Sequence, residues 1–231
     1  KAGFADRSSI AGDTRFDRVS AIAGNFEPVS QIETFIDNKK AFVAGSTWPE
    51  DEKVIQKAFA TITEPDIKLI IAPHEINESH IGSLLKLFPG ALLFSRFNAD
   101  AAKKAAVLVI DNIGMLSRLY KYAWITYVGG AMIKRGIHNV LEAAVYDKIV
   151  LFGPEYDKNP EVTELVKAGG GIPINDIQKD GQLLRQVIEV LLAGEEEYAL
   201  RSKAAGDFVR DRHGATASIV QFIQEKRLLT N

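Results

Sequence analysis

Tyr127-Val-Gly-Gly-Ala-Met-Ile-Lys-Arg-Gly-Ile-His-Asn-Val-Leu-Glu142 reads as a strand end, a glycine turn, a basic loop and a helix start in immediate succession. The apolar run from Trp124 to Val128 has the character of a buried strand. Gly129-Gly130 ends it, Lys134, Arg135, Gly136 and His138 follow, and Asn139-Val-Leu-Glu-Ala-Ala opens a helix. Strand, glycine turn and helix N-terminus together direct backbone N–H groups and a helix dipole into one crevice. That corner predicts an anionic ligand, a phosphorylated or nucleotide compound.

Outward from this stretch, apolar runs alternate with amphipathic ones. Strands are predicted at Val19–Ala23, Ala41–Ala44, Lys68–Ala72, Ala91–Phe94, Val107–Ile110, Ile125–Val128, Lys148–Leu151 and Gly171–Ile174. Helices are predicted at Pro28–Ile36, Glu50–Ile62, Glu78–Leu87, Met115–Tyr122, Asn139–Val145 and Pro160–Lys167. Repeated β-then-α order with short links implies an α/β fold: a Rossmann-like parallel sheet with helices on both faces. After Asp176 the pattern turns helical (Gly181–Leu192, Glu195–Arg212, Ala215–Lys226), a helical C-terminal tail. Residues 1–18 read as an interdomain connector and residues 19–231 as the ligand-binding domain. The opening Lys1-Ala-Gly-Phe4, without methionine, is expected of a piece of a longer or processed chain.

Composition narrows the function classes. The 231 residues are 46% hydrophobic and 25% charged, so the chain can bury a core. A net charge of −2, with Lys and Arg dispersed, gives no basic patch for nucleic acid. Without cysteine, disulfides and thiolate metal sites are excluded. No apolar run reaches the ~18 residues of a spanning helix, and the chain itself is expected to be soluble.

In open parallel sheets ligands sit at the carboxyl ends of strands, so those ends carry the candidate site. Gly45-Ser46-Thr47 offers hydroxyls and N–H groups to an anion, while Thr47 with Glu50 also reads as a capping box. Pro73-His74-Glu75 reads as a polar loop. His80, six residues beyond His74, is poorly spaced for a shared metal, and no metal is expected. Asp111-Asn-Ile-Gly114-Met115 brings backbone close to the crevice. Asn139 and Glu142 read either as N-cap and capping partner or as a carboxylate placed to accept both ribose hydroxyls. His138 beside them could donate to a phosphate. No G-x-G-x-x-G or G-x-x-x-x-G-K-[ST] occurs, against a dehydrogenase or a P-loop enzyme.

The order Gly45-Ser-Thr, Pro73-His74, Asp111-x-x-Gly114, Val128-Gly-Gly-Ala131, Gly136-x-His138-Asn139-x-Leu-Glu142 and Phe152-Gly-Pro154 resembles the 3-deoxy-D-manno-octulosonic acid (Kdo) transferase family. Asp13-Thr-Arg-Phe-Asp17 is similar to a short element at that family's domain junction. The resemblance covers essentially the whole chain. It implies one half of a GT-B glycosyltransferase, the carboxyl-terminal donor-binding domain, taking CMP-Kdo as donor substrate with no cofactor and no metal. Carried onto this sequence, the donor contacts are Pro73 and His74, then Ile113, Gly114 and Met115, then Asn139, Val140, Leu141 and Glu142. Ser46, Thr47 and Gly130 border the same cleft. The departures are His74, where the family has arginine, and Met115, where glutamate is usual. Arg96, Lys134 and Arg135 are the candidate replacement cations. The resemblance places the general base in an amino-terminal domain, so no catalytic residue is assigned here and the chain alone is expected to be inactive. It also implies a lipid A precursor acceptor bound through that other domain, and a full-length protein on the cytoplasmic face of the inner membrane, touching the membrane surface only in that form. The alternatives are a GT-B transferase or epimerase using another nucleotide-sugar, or a non-catalytic nucleotide-binding module.

Overall fold

The computed structural model describes residues 8–62, 67–176, 178 and 180–226. Seven strands form one parallel sheet: β1 (Lys40–Thr47), β2 (Ile67–Pro73), β3 (Leu92–Leu93), β4 (Val107–Val109), β5 (Ile125–Val128), β6 (Ile149–Phe152) and β7 (Gly171–Pro173). Their spatial order is β3-β4-β2-β1-β5-β6-β7, with every pairing parallel. The central strands are apolar on both faces because helices cover both. On β1, Ala41 and Val43 point into one core and Phe42 and Ala44 into the other.

Eleven α-helices lie among the described residues. Those feeding the first core include α1 (Thr14–Gly24), α2 (Ser30–Ile36), α5 (Ala99–Lys104), α6 (Leu116–Leu119), α7 (Leu141–Ala144), α8 (Pro160–Ala168) and α10 (Glu195–Arg210). The second core is closed by α3 (Pro49–Phe59), α4 (Glu78–Leu87) and α9 (Gln182–Ala193). The last helix, α11 (Ala215–Glu225), packs against α1.

Two expectations change. Val19–Ala23 is not a strand but the second half of α1. Its apolar residues follow a helical stripe that buries Phe16 and Val19. The other change is α5, which the sequence reading missed because Ala99-Asp-Ala-Ala-Lys-Lys104 has almost no apolar stripe and buries only Ala102.

The Asp13-Thr-Arg-Phe-Asp17 segment is built into the domain. Asp13 caps α1 by accepting from the Arg15 N–H at 2.9 Å, and Arg15 reaches Glu161 at the start of α8 at 2.8 Å. The Asp17 carboxylate accepts from the Gly214 N–H, and from the Thr216 N–H at 2.7 Å and hydroxyl at 2.8 Å, which caps α11. Asp17→Ala is expected to lower the urea midpoint of unfolding, because it removes the side-chain cap of α11. A midpoint equal to the parent's would contradict the capping role.

Candidate functional site at the strand ends

Sheet order reverses at β1. The chain runs outward through β2 in one direction and returns to place β5 on the other side, so the switch point lies between β1 and β5. The loops that leave β1, β2 and β5 meet there.

The strand ends approach closely. A Cβ at Gly129 would lie 2.3 Å from the Ser46 carbonyl oxygen, and one at Gly130 would lie 2.4 Å from that of Gly136. Gly130 also has φ +99°, a left-handed conformation that suits glycine. Ser46 takes φ +52° at the matching point of β1, an uncommon state for a residue with a Cβ.

Behind this double turn sits Asp51, fully buried. Its carboxylate accepts from the Trp48 N–H at 2.9 Å, the Gly130 N–H at 3.0 Å and the Tyr127 hydroxyl at 2.8 Å. One side chain thus ties α3, β5 and the glycine turn together. Burial raises its pKa above the ordinary 3.8, opposed by the hydrogen bonds it accepts. The capping box expected from Thr47 and Glu50 gives way to half of one a residue later. Trp48 precedes the helix, Pro49 opens it, and Asp51 accepts from the Trp48 N–H, while the Trp48 indole has no acceptor to return a bond. The Thr47 hydroxyl instead donates to Glu52 Oε1 at 2.9 Å, and Glu52 holds His80 Nε2 at 2.9 Å. These three groups are buried and mutually satisfied, so the Thr47 hydroxyl is already engaged inside the protein.

On the open side three rings meet. Trp48 Nε1 donates to His138 Nε2 at 3.3 Å, and the His74 ring lies 4.6 Å from Trp48 and 4.5 Å from His138, tilted by 31° and 30°. The Arg135 guanidinium rests over Trp48 at 4.3 Å. Of the candidate cations Arg96, Lys134 and Arg135, Arg135 is the one engaged at this cluster. Sequence reading missed Trp48. Its place directly after Ser46-Thr47, at a strand end, was the signal available.

The remaining expected contacts divide into side-chain and backbone groups. Ile113 is 87% exposed and Gly114 is exposed with φ +89°, whereas Met115 is buried. Asp111 is committed to Ser95, whose N–H it accepts at 2.8 Å. Val140 and Leu141 are buried in the first core. The predicted helix 139–145 is a single turn, α7, whose dipole is correspondingly small. The cap forms only in part. Asn139 Oδ1 accepts from the Leu141 N–H at 3.2 Å, and Glu142 Oε1 accepts from the Asn139 side-chain amide at 3.2 Å rather than from its main chain. Burial raises the Glu142 pKa, offset by Asn139 and by the Arg18 charge. Beside it the Tyr146 hydroxyl is buried without a hydrogen-bond partner among the described residues. Arg18 was not singled out in the sequence, because nothing local shows that α1 reaches this carboxylate.

An open cleft of about 590 Å³ lies on the α3–α4 side, walled by Trp48, Glu75, Asn77 and Arg135, with Glu52 and His80 at its base. None of the expected donor contacts lines it, and Trp48 separates it from His74 and His138. Among the described residues no group of three or more His, Cys, Asp or Glu is placed to hold a metal ion. No described helix is long and apolar enough to cross a membrane.

No family model matches the sequence. Curated relatives do. The 3-deoxy-D-manno-octulosonic acid transferase of Rickettsia typhi is 27% identical over 206 residues, 87% of this chain and 43% of that protein. That of Aquifex aeolicus is 30% identical over 179 residues, 75% of this chain and 48% of that protein. The chain therefore spans less than half the length of these two relatives. Among solved structures, the carboxyl-terminal CMP-Kdo-binding domain of WaaA from Acinetobacter baumannii superposes with a TM-score of 0.67 at 18% identity, over 85% of this chain and 99% of that one. The UDP complex of MnaA from S. aureus also gives 0.67, at 17% identity, over 100% of this chain and 57% of that one. These likenesses establish the fold as one Rossmann-like half of a GT-B architecture. Over most of its length the chain is homologous to 3-deoxy-D-manno-octulosonic acid transferases.

Proposed function

We propose that this chain is the donor-binding half of a glycosyltransferase that moves Kdo from CMP-Kdo to a lipid A precursor. The observation that carries the reading is homology to Kdo transferases across 87% of the chain. The strand-end loops support it, since they converge at the switch point where such a fold receives a nucleotide.

In this reading the phosphate lies against the Ser46–Thr47 and Gly129–Gly130 turns, near Pro73 and His74. The nucleoside runs between Ile113-Gly114-Met115 and Asn139-Val140-Leu141. Glu142 accepts hydrogen bonds from the ribose hydroxyls, and the Asn139 amide, which donates to it among the described residues, leaves acceptor capacity free. With α7 a single turn, and with the Gly129 and Gly130 N–H groups already given to Gly45 and Asp51, phosphate charge is met chiefly by side chains rather than by a dipole. The acceptor and the general base belong to a segment outside this chain, and in the complete protein the enzyme works at the cytoplasmic face of the inner membrane. The chain alone is expected to transfer nothing.

Isothermal calorimetry with CMP, UMP and UDP tests this. CMP is expected to bind in preference to the uridine nucleotides. Glu142→Ala is expected to weaken CMP binding by about 10–150-fold, the worth of a hydrogen bond to a charged group (about 1.5–3 kcal/mol). Preference for UDP would favour a second reading, a transferase or epimerase acting on another nucleotide-sugar, which the match to a UDP-bound protein over the full chain makes the natural rival. CMP binding untouched by Glu142→Ala would move the nucleoside elsewhere.

A further inference from the structure

The bond between Trp48 and His138 has a chemical consequence. An indole N–H is a donor only. Accepting it at 3.3 Å, His138 Nε2 must carry its lone pair, and the ring's one proton sits on Nδ1. A second proton on His138 would set two N–H groups against each other, and the bond would break. The His74 ring covers both partners, so a positive charge on His138 also meets a second imidazole 4.5 Å away. Both burial and His74 hold the His138 pKa below 6.5. The ring lies against the glycine turn, since a Cβ at Gly130 would come within 3.2 Å of His138 Cδ2.

We infer that His138 is a proton-linked phosphate-binding residue of this site, held neutral by the Trp48 indole and freed on protonation to donate Nε2–H to a nucleotide phosphate. This rests on the donor-site reading above. The charged and titratable groups on the surrounding elements include His74 and Glu75 after β2, Glu50, Asp51, Glu52 and Lys53 in α3, Lys134 and Arg135 in the loop, and Glu142 in α7. Of these, His74 bears on the ring electrostatically. The nearby guanidinium of Arg135 is engaged on Trp48. A neutral imidazole neutralises no phosphate charge, whereas an arriving phosphate stabilises the protonated ring. Binding therefore takes up a proton and strengthens as pH falls from 8 toward 6, by at most about tenfold per pH unit for one linked proton.

The test follows the His138 ring resonances by NMR through a pH titration of the chain, parent and Trp48→Phe, with and without CMP. Calorimetry of CMP binding in two buffers of different ionisation heat counts the protons taken up. Trp48→Phe removes the donor that favours the neutral ring, so the His138 midpoint is expected to rise. CMP should raise the parent midpoint further, and proton uptake at pH 7.5 should be smaller in Trp48→Phe. The phosphate's own ionisation is common to both proteins and cancels in the comparison. His74→Asn, which leaves Trp48 in place, should also raise the midpoint. A midpoint unmoved by both substitutions overturns the switch. A midpoint unmoved by CMP that binds overturns the phosphate contact. CMP that fails to bind at any pH overturns the donor-site reading together with the contact, while the ligand-free titration still decides the switch.

Discussion

Gly129→Ala is expected to destabilise the chain by about 3 kcal/mol, the upper end of what an added methyl group costs in a packed interior. The new Cβ would come 2.3 Å from the Ser46 carbonyl oxygen, 2.7 Å from Thr47 Cα and 2.8 Å from the Ser46 carbonyl carbon. All three are backbone atoms, so no side chain can swing aside to make room. The two strands are joined at this point, because the Gly129 N–H donates to the Gly45 carbonyl at 2.9 Å. Relief therefore requires the ends of β1 and β5 to part, which opens the turn that carries the candidate site. Urea unfolding reads the loss. A variant within 1 kcal/mol of the parent would mean that the strand ends are less tightly opposed than these distances state.

Asp51→Ala should cost a comparable or larger amount, about 3–5 kcal/mol. It removes the acceptor of three donors at a fully buried position, the Trp48 and Gly130 N–H groups and the Tyr127 hydroxyl. Buried donors left unpaired cost about 1–3 kcal/mol each, and the terms do not simply add within one network. Asp51→Asn keeps the shape but turns an amide N–H₂ toward groups that are themselves donors, so it should recover only part of the loss. The pH dependence carries a distinguishing sign. With its folded pKa raised above 3.8, Asp51 binds a proton more tightly in the folded chain than in the unfolded one. Its contribution is favourable at low pH and declines as pH rises from about 4 through the raised value, the reverse of an ion-paired aspartate. That slope should be missing from the Asp51→Ala stability profile. Finding it unchanged would assign it to other groups.

Both residues show how far one-dimensional reading reaches. The Gly129-Gly130 pair was legible as a turn, but the sequence could not tell that Ser46, 83 positions earlier by number, presses against it. Asp51 sat within an acidic run that reads as an ordinary helix start, and its bonds to Gly130 and Tyr127 join segments that only the fold brings together. The same holds for the cluster of Trp48, His74 and His138, one ring from each of three loops.

The sequence by itself determined the strands of the sheet from β1 onward, because central parallel strands are apolar on both faces and read as unbroken runs. It determined the parallel α/β class from their alternation with helices, and the resemblance to Kdo transferases from the order of the strand-end motifs. Tertiary structure alone decided that residues 19–23 are helical, since five apolar-rich residues carry no periodicity of their own and the packing of Phe16 and Val19 settles it. It also decided that the turn at Asn139 is one turn long, that the Thr47 hydroxyl turns inward to Glu52, and that Arg18 approaches Glu142. These are contacts between distant segments, fixed by the crossovers that bring β1, β2 and β5 side by side, and no local pattern encodes them.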